Sequence, residues 1–170
     1  DRGAIWDALE SKEVYGTSGD RILLWFDLMR ESNDERVPMG SSIVRNLAPQ
    51  FEVRALGAFE QKPGCPADSL SALPQDRLQR LCGGECYHPG DLRKRIERIE
   101  IVRIRPQISA DEPVEALIED PWKVLPCPPD EVSCTVRFSD PDYSAGQRDS
   151  VYYARAIQAA SDTVNGAQLR

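Results

Sequence analysis

Residues 95–106 read Arg-Ile-Glu-Arg-Ile-Glu-Ile-Val-Arg-Ile-Arg-Pro, and this stretch decides the fold class. Ile99 and Ile101 alternate with Arg98, Glu100 and Arg103, the two-residue period of a strand with one apolar face. Val102 and Ile104 then move the apolar phase by one, which calls for a bulge or for a strand covered on both faces. Pro106 ends the run. Strands with related patterns lie on either side. Phe51-Glu-Val-Arg-Ala55 places Phe51, Val53 and Ala55 inward, and Cys134-Thr-Val-Arg-Phe138 places Val136 and Phe138 inward. Val151–Gln158 reads as the last strand, and the continuous apolar run Arg21–Leu28 (RILLWFDL) as a buried one. Two short helices complete the pattern. Asp1 caps one that carries Ile5, Trp6 and Leu9. The other covers Pro74–Leu81, with Leu73, Leu78 and Leu81 on one face and Gly83-Gly84 as its stop. Residues 29–42 and 60–74 read as loops, Pro113–Trp122 as an acidic connector of little regular structure, and Asp140–Arg148 as a turn region. Strands separated by turn clusters make a mainly β chain with short helices and a sandwich-like domain.

Charge and composition narrow the function classes. The 28 Asp and Glu residues outnumber the 21 Lys and Arg, for a formal net charge of -7 over 170 residues. An acidic chain lacks the basic surface on which nucleic-acid binding draws, so no nucleic-acid partner is expected. The run RKRIERIEIVRIR at 93–105 is basic, but its charges alternate with core positions of a strand and read as one solvated face. No apolar run approaches the ~18–20 residues of a helical membrane span. There is one histidine, His88, so a multi-histidine metal site within this chain is excluded. The first residue is Asp, methionines occur only at 29 and 39, and no signal-peptide pattern is present, which reads as a processed product or an excised fragment. The C-terminal stretch carries an Asn165-Gly166 turn signal.

Two segments could carry chemistry. Cys127 and Cys134 flank the Pro-rich loop PPDEVS, a spacing that suits a local disulfide if the Cα atoms approach to about 4.4–6.8 Å. Cys82-Gly-Gly-Glu-Cys86 with His88 gives C-x3-C-x-H, for which Cys65 would be a fourth zinc ligand. Disulfides, zinc and buried free thiols all remain open for Cys65, Cys82 and Cys86, with disulfides favoured. Five cysteines leave at least one without a partner inside this chain. Tyr15-Gly-Thr-Ser-Gly-Asp-Arg21 offers two glycines, two hydroxyls and a guanidinium, as an anion cradle does, but lacks the G-K-[ST] of a phosphate loop. On chemistry alone a tight turn that needs Gly for its backbone angles is the favoured reading.

Six blocks then resemble one family in order: AIWDALESKEVYGTSGDRILLWF, FEVRALGAFEQKPGC, LCGGECYHPGD, RIERIEIVRIRPQ, LIEDPWKVLPCPPDEVSC and DSVYYARAIQ. Together they are similar to the C-terminal part of a bacterial family known as domain of unknown function 3604, whose members resemble PHP-type, amidohydrolase-like metal-dependent hydrolases. The resemblance implies that residues 1–30 form the last helix-strand unit of a PHP-like barrel and that 31–170 form a β-sandwich-like C-terminal domain. It places the His and Asp ligands of a divalent metal upstream, and gives this chain no catalytic residue and no metal ligand of its own. The partner it implies is the rest of the parent chain. Thr17, Ser18 and Arg21 would lie near the parent's pocket, where a guanidinium suits a phosphate or carboxylate substrate, phosphoesters among them. Asp20 stands where the family has Pro, and the tail AASDTVNGAQLR departs from the family's Pro-containing form. The family look suits the periplasm or the cell exterior, hence a Cys127–Cys134 disulfide and Cys65 near Cys82 or Cys86. If Arg21–Leu28 is part of an inter-domain core, Trp25 or Phe26 should be partly bare in this chain alone. The competing reading is a non-catalytic β-sandwich that binds carbohydrate, protein or a cell surface. An exposed aromatic cluster would favour it, and a buried one the hydrolase segment.

Overall fold

The computed structural model describes residues 1–30, 35–146 and 148–160. In chain order the elements are α1 (Arg2–Glu10), β1 (Leu23–Met29), β2 (Arg36–Pro38), β3 (Gln50–Leu56), β4 (Phe59–Gln61), α2 (Ala67–Ala72) and α3 (Gln75–Cys82). They continue with β5 (Pro89–Arg93), β6 (Ile96–Ile104), β7 (Ile118–Pro126), β8 (Ser133–Ser139), α4 (Tyr143–Gly146) and β9 (Val151–Gln158). A single 3₁₀ turn, Val114–Leu117, precedes β7. The Asn165-Gly166 signal and most of the 159–170 tail lie outside the described residues.

Two antiparallel sheets face each other. One has the order β2-β1-β3-β8 and the other β7-β6-β9. In the first, Phe26 stands opposite Val53 and Val53 opposite Val136, so the alternation of three strands falls in register. Leu24, Phe26, Phe51, Val53, Ala55 and Cys134 from this sheet share one apolar cluster with Ile96, Ile99 and Ile101 of β6. Side chains from β7 and β9, Trp122, Leu125, Tyr152, Ala154 and Ala156, close it. Phe51 meets Tyr152 across the layers at 4.7 Å between ring centroids, within the usual range for a tilted aromatic pair. The chain is therefore mainly β, with two sheets on one core and few short helices. The inward positions read from the alternation of β3 and β8 all fall in this core.

Several elements differ from the sequence reading. The acidic connector at 113–122 overlaps β7, a nine-residue strand that pairs with β6. Pro121 and the acidic residues around it hid the strand, but β7 is an edge, where a residue without an N–H costs no ladder bond. The 60–74 loop contains the end of β4 and all of α2, and the 29–42 loop contains β2. The Arg21–Leu28 run is not buried on both faces. Leu24 and Phe26 point into the core, whereas Trp25 is 40% exposed on the open outer face, with the Arg54 guanidinium 5.3 Å from its ring centre. The phase shift in β6 has a structural counterpart: its register against β7 slips between Ile101 and Arg103, and Val102 is wholly buried. β1 pairs with β3 over seven residues, so a boundary at residue 30 falls inside one hydrogen-bonded sheet. The part of 1–30 that stands apart is α1, which has no buried residue.

The outer face of the first sheet carries a charge network. Glu52 of β3 is 2% exposed yet points away from the apolar core, and it accepts from Arg36 and from Arg137 Nε at 2.7 Å. Asp27 beside it accepts from Arg54 Nη2 at 3.1 Å. Burial pushes the Glu52 carboxyl up, but the two arginine hydrogen bonds outweigh burial and hold it below its ordinary value.

Candidate functional site

The turn at 15–21 joins α1 to β1. The Tyr15 hydroxyl donates to the Ile22 carbonyl at 3.1 Å, and Gly19 has φ +98°, which supplies the positive angle the turn needs. Asp20 anchors it. Its Oδ2 accepts from Lys94 Nζ at 2.8 Å and from Gln158 Nε2 at 2.7 Å, and Gln158 Oε1 accepts the Ala58 amide at 2.8 Å. Asp20 thus ties the turn to Lys94, between β5 and β6, and to the end of β9. Thr17, Ser18 and Arg21 are exposed on this turn. The Arg21 guanidinium lies 4.5 Å from the ring centre of Tyr87, a cation–π contact with the cysteine loop. Sequence reading treated these two segments separately, and the tertiary structure sets them side by side.

The cysteine loop is an excursion from the β4–β5 ribbon. Gln61 pairs with Pro89 at its base, and the Lys62 amide donates to the His88 carbonyl at 2.7 Å. Beyond that base the chain forms α2 and α3. Gly83 takes a left-handed conformation at φ +61° and stops α3, and Gly84 follows at φ +81°. The reversal returns Cys86 to Cys65, and the two are disulfide-bonded with Cα atoms 4.6 Å apart. The Gly64 amide donates to Glu85 Oε2 at 2.8 Å and the Cys86 amide to the Gly64 carbonyl at 3.2 Å, which fix the return. Cys82 keeps a free thiol at the end of α3, donating to the Leu78 carbonyl at 3.2 Å. Its sulfur lies 3.0 Å from Cys86 Sγ and 3.9 Å from Cys65 Sγ. His88 Nδ1 is directed at the Pro63 carbonyl, 3.3 Å away, and not at the sulfurs.

The second bridge, Cys127–Cys134, has a Cα separation of 5.5 Å, inside the range expected from the loop. It joins the residue after β7 to β8, so it ties the edge of one sheet to the edge of the other. Two disulfides fit an oxidising compartment. Among the described residues, no helix is long and apolar enough to cross a membrane.

A third constellation escaped the sequence reading. Arg103 is 5% exposed at the end of the sandwich. Its Nη1 donates to both oxygens of Asp140, at 2.9 and 2.8 Å, while Nε and Nη2 donate to Glu119 at 2.7 and 3.0 Å. The Tyr152 hydroxyl donates to Asp140 Oδ2 at 2.6 Å, and Trp122 stacks on the guanidinium at 4.3 Å. The sequence reading set Arg103 among the polar positions of β6, although 99, 101 and 103 share one phase; against β9 these three stand opposite Ala156, Ala154 and Tyr152, all packed on the core, so the arginine lies on the inward face. For Asp140, burial pushes the carboxyl up, but Tyr152 and Arg103 outweigh it and hold it low. For Tyr152, burial and the bond to Asp140 both push the phenol up. Each group keeps its ordinary charge state near neutral pH, so the cluster is a lock between strands and not an acid–base pair.

Among the described residues, the grouping of three or more potential metal-ligating side chains is Cys65, Cys82 and Cys86. Two of these sulfurs are already bonded to each other. The residues described do not assemble a His- and carboxylate-based metal centre.

Fold and site together define an antiparallel β-sandwich stapled by two disulfides, with an exposed helix at its start. The model of a family described as protein of unknown function (DUF3604) matches residues 1–63. That span holds the first of the six blocks that carry the resemblance and nearly all of the second, and the other four lie beyond it. Neither the curated proteins nor the solved structures give a match to this chain.

Proposed function

We propose that this chain is the C-terminal portion of a metal-dependent hydrolase, with the catalytic metal held by residues outside it, and that it works in the periplasm or cell exterior. The observation that carries the reading is the face of α1. Ile5, Trp6 and Leu9 are 64%, 67% and 55% exposed, at the spacing of one helical stripe. A nine-residue helix has little stability alone in water and is ordinarily held by packing of its apolar face. The partner is the preceding part of the same protein, onto which this stripe docks. Further support comes from the family match, which includes α1 and the 15–21 turn. The aromatic side chains Phe26, Phe51, Phe138, Trp122 and Tyr152 pack with one another in the interior, which favours this reading over a binding module that displays its rings. Of the exposed aromatic side chains, Trp6, Tyr15 and Trp25 fall in the first 25 residues, while Tyr87 and Tyr153 are single exposed rings further along the chain.

In this reading the sandwich shields the site, and Arg21 offers a charge-assisted donor to an anionic substrate near the pocket. A divalent metal in the preceding part would polarise the substrate and activate water. The test compares this chain with the longer protein that contains it. The chain alone should hold well under one transition metal per molecule and leave generic phosphoesters intact. The longer protein should hydrolyse them, and Arg21→Ala should slow it mainly through a higher KM. Stoichiometric metal in, or turnover by, the chain alone would overturn the assignment.

A further inference from the structure

We propose that Cys65, Cys82 and Cys86 form an internal thiol–disulfide exchange site in which Cys86 is shared between two alternative bridges. The argument rests on the arrangement of three sulfurs and two glycines, independently of the hydrolase reading. Cys86 is bonded to Cys65, and the free Cys82 sulfur is nearer to Cys86, at 3.0 Å, than to Cys65, at 3.9 Å. Cys82 ends α3 and Cys86 follows after only three residues, two of which are Gly83 and Gly84 in left-handed conformations. A second bridge within that short segment therefore needs only local rearrangement, and the bonds that join Gly64 to Glu85 and Cys86 keep Cys65 beside it.

The chemistry balances without any oxidant. Cys82 gives its thiol proton to solvent, and the thiolate attacks Cys86 Sγ. The Cys82–Cys86 bond forms as the Cys65–Cys86 bond breaks, and the electron pair leaves on Cys65 Sγ, which takes up a proton. At 3.9 Å from Cys65, the attacking sulfur lies beside the existing bond and not in line with it. The side chains must turn before the attack, and the glycine pair beside Cys82 allows the backbone to follow. The two states differ in where the thiol lies. In the state described, it is on Cys82, bonded to the Leu78 carbonyl. After exchange it is on Cys65, which lines a cleft of about 310 Å³ together with Pro63, Leu70, Leu78 and Gln79. The exchange thus moves a reactive sulfur from a helix end into a cleft, beside the loop that contacts Arg21.

Rapid alkylation with iodoacetamide at pH 6–9, followed by acid quenching and peptide mapping, tests the proposal. The intact chain should carry label on Cys82 and, in a fraction that grows as pH rises, on Cys65. Cys82→Ser should abolish the Cys65 label, and Cys65→Ser should form a Cys82–Cys86 bond with no free thiol. Label confined to Cys82 at every pH would overturn the proposal. So would Cys65 label that persists in Cys82→Ser, since that thiol would come from an unformed bridge, or two labelled thiols in Cys65→Ser.

Discussion

Gly57 is where the backbone of β3 leaves the first sheet and passes against the segment that leads into β6. Its amide donates to the Val132 carbonyl at 2.9 Å, and Arg93 Nη1 donates to its carbonyl at 2.7 Å. A Cβ placed there would overlap the Lys94 carbonyl. That obstacle is backbone and cannot rotate away, unlike the tip of a side chain. Gly57→Ala should therefore lower stability by about 1–3 kcal/mol, the usual cost of overpacking a close contact. The urea midpoint reads this directly, and an unchanged midpoint would show that the contact relaxes freely. Arg103 makes a complementary point at this scale. An arginine in the apolar phase of a strand is tolerated because its three guanidinium nitrogens donate to two carboxylates and Trp122 covers its face.

At the scale of elements, the Cys127–Cys134 bridge and β7 depend on each other. β7 is an edge strand with Pro121 within it, so part of its length cannot donate to a ladder. The bridge fixes its far end to β8 across the sandwich. By the chain-entropy model, a loop this short contributes about 2 kcal/mol. Replacing both cysteines with serine should lower the unfolding free energy by roughly that amount, and hydrogen exchange should show faster opening in β7 than in β3. Equal protection in the two strands would mean that the β6 pairing alone holds the edge. α1 behaves differently, since it is capped by Asp1, whose carboxylate accepts the Ala4 amide at 2.9 Å, but has no buried residue. Local capping sets where that helix starts, and only a partner surface can keep it folded.

Over the whole molecule, acid sensitivity follows from two carboxylates, Glu52 on the outer face of β3 and Asp140 just after β8. Glu52 and Asp140 are both held below their ordinary values of 4.5 and 3.8. For each, burial pushes upward, and hydrogen bonds, from Arg36 and Arg137 or from Tyr152 and Arg103, outweigh it. A group with a lowered folded pKa contributes its stability above the unfolded pKa and loses it as pH falls through the folded one. The thermal midpoint should thus be steady with respect to these groups from neutral pH down to about 4.5, then fall on further acidification. Glu52→Gln should be less stable than the parent at pH 7, and the difference should shrink as pH falls below 4.5. Parallel curves across that range would remove Glu52 as a cause.

Much of the architecture was legible from short-range pattern. The alternation of Phe51, Val53 and Ala55 and of Val136 and Phe138 identified core faces, because a two-residue period has only one way to bury them. The phase shift at Val102 marked the irregular register, and the PPDEVS loop marked one disulfide. The sequence alone determined a mainly β chain, its principal core strands, the acidic charge that speaks against nucleic acid, and the lack of a multi-histidine metal set. Tertiary structure decided the rest. β7 became a strand only because β6 offered a free edge, and Trp25 met solvent because it lies on the face of its sheet turned away from the shared core. Cys65 chose Cys86 over Cys82 because Gly83 and Gly84 turned the chain back, and Arg21 reached Tyr87 because a distant loop folded beside the turn. Each of those outcomes depends on which surfaces meet across many residues, and the local periodicity of a sequence does not encode that distance.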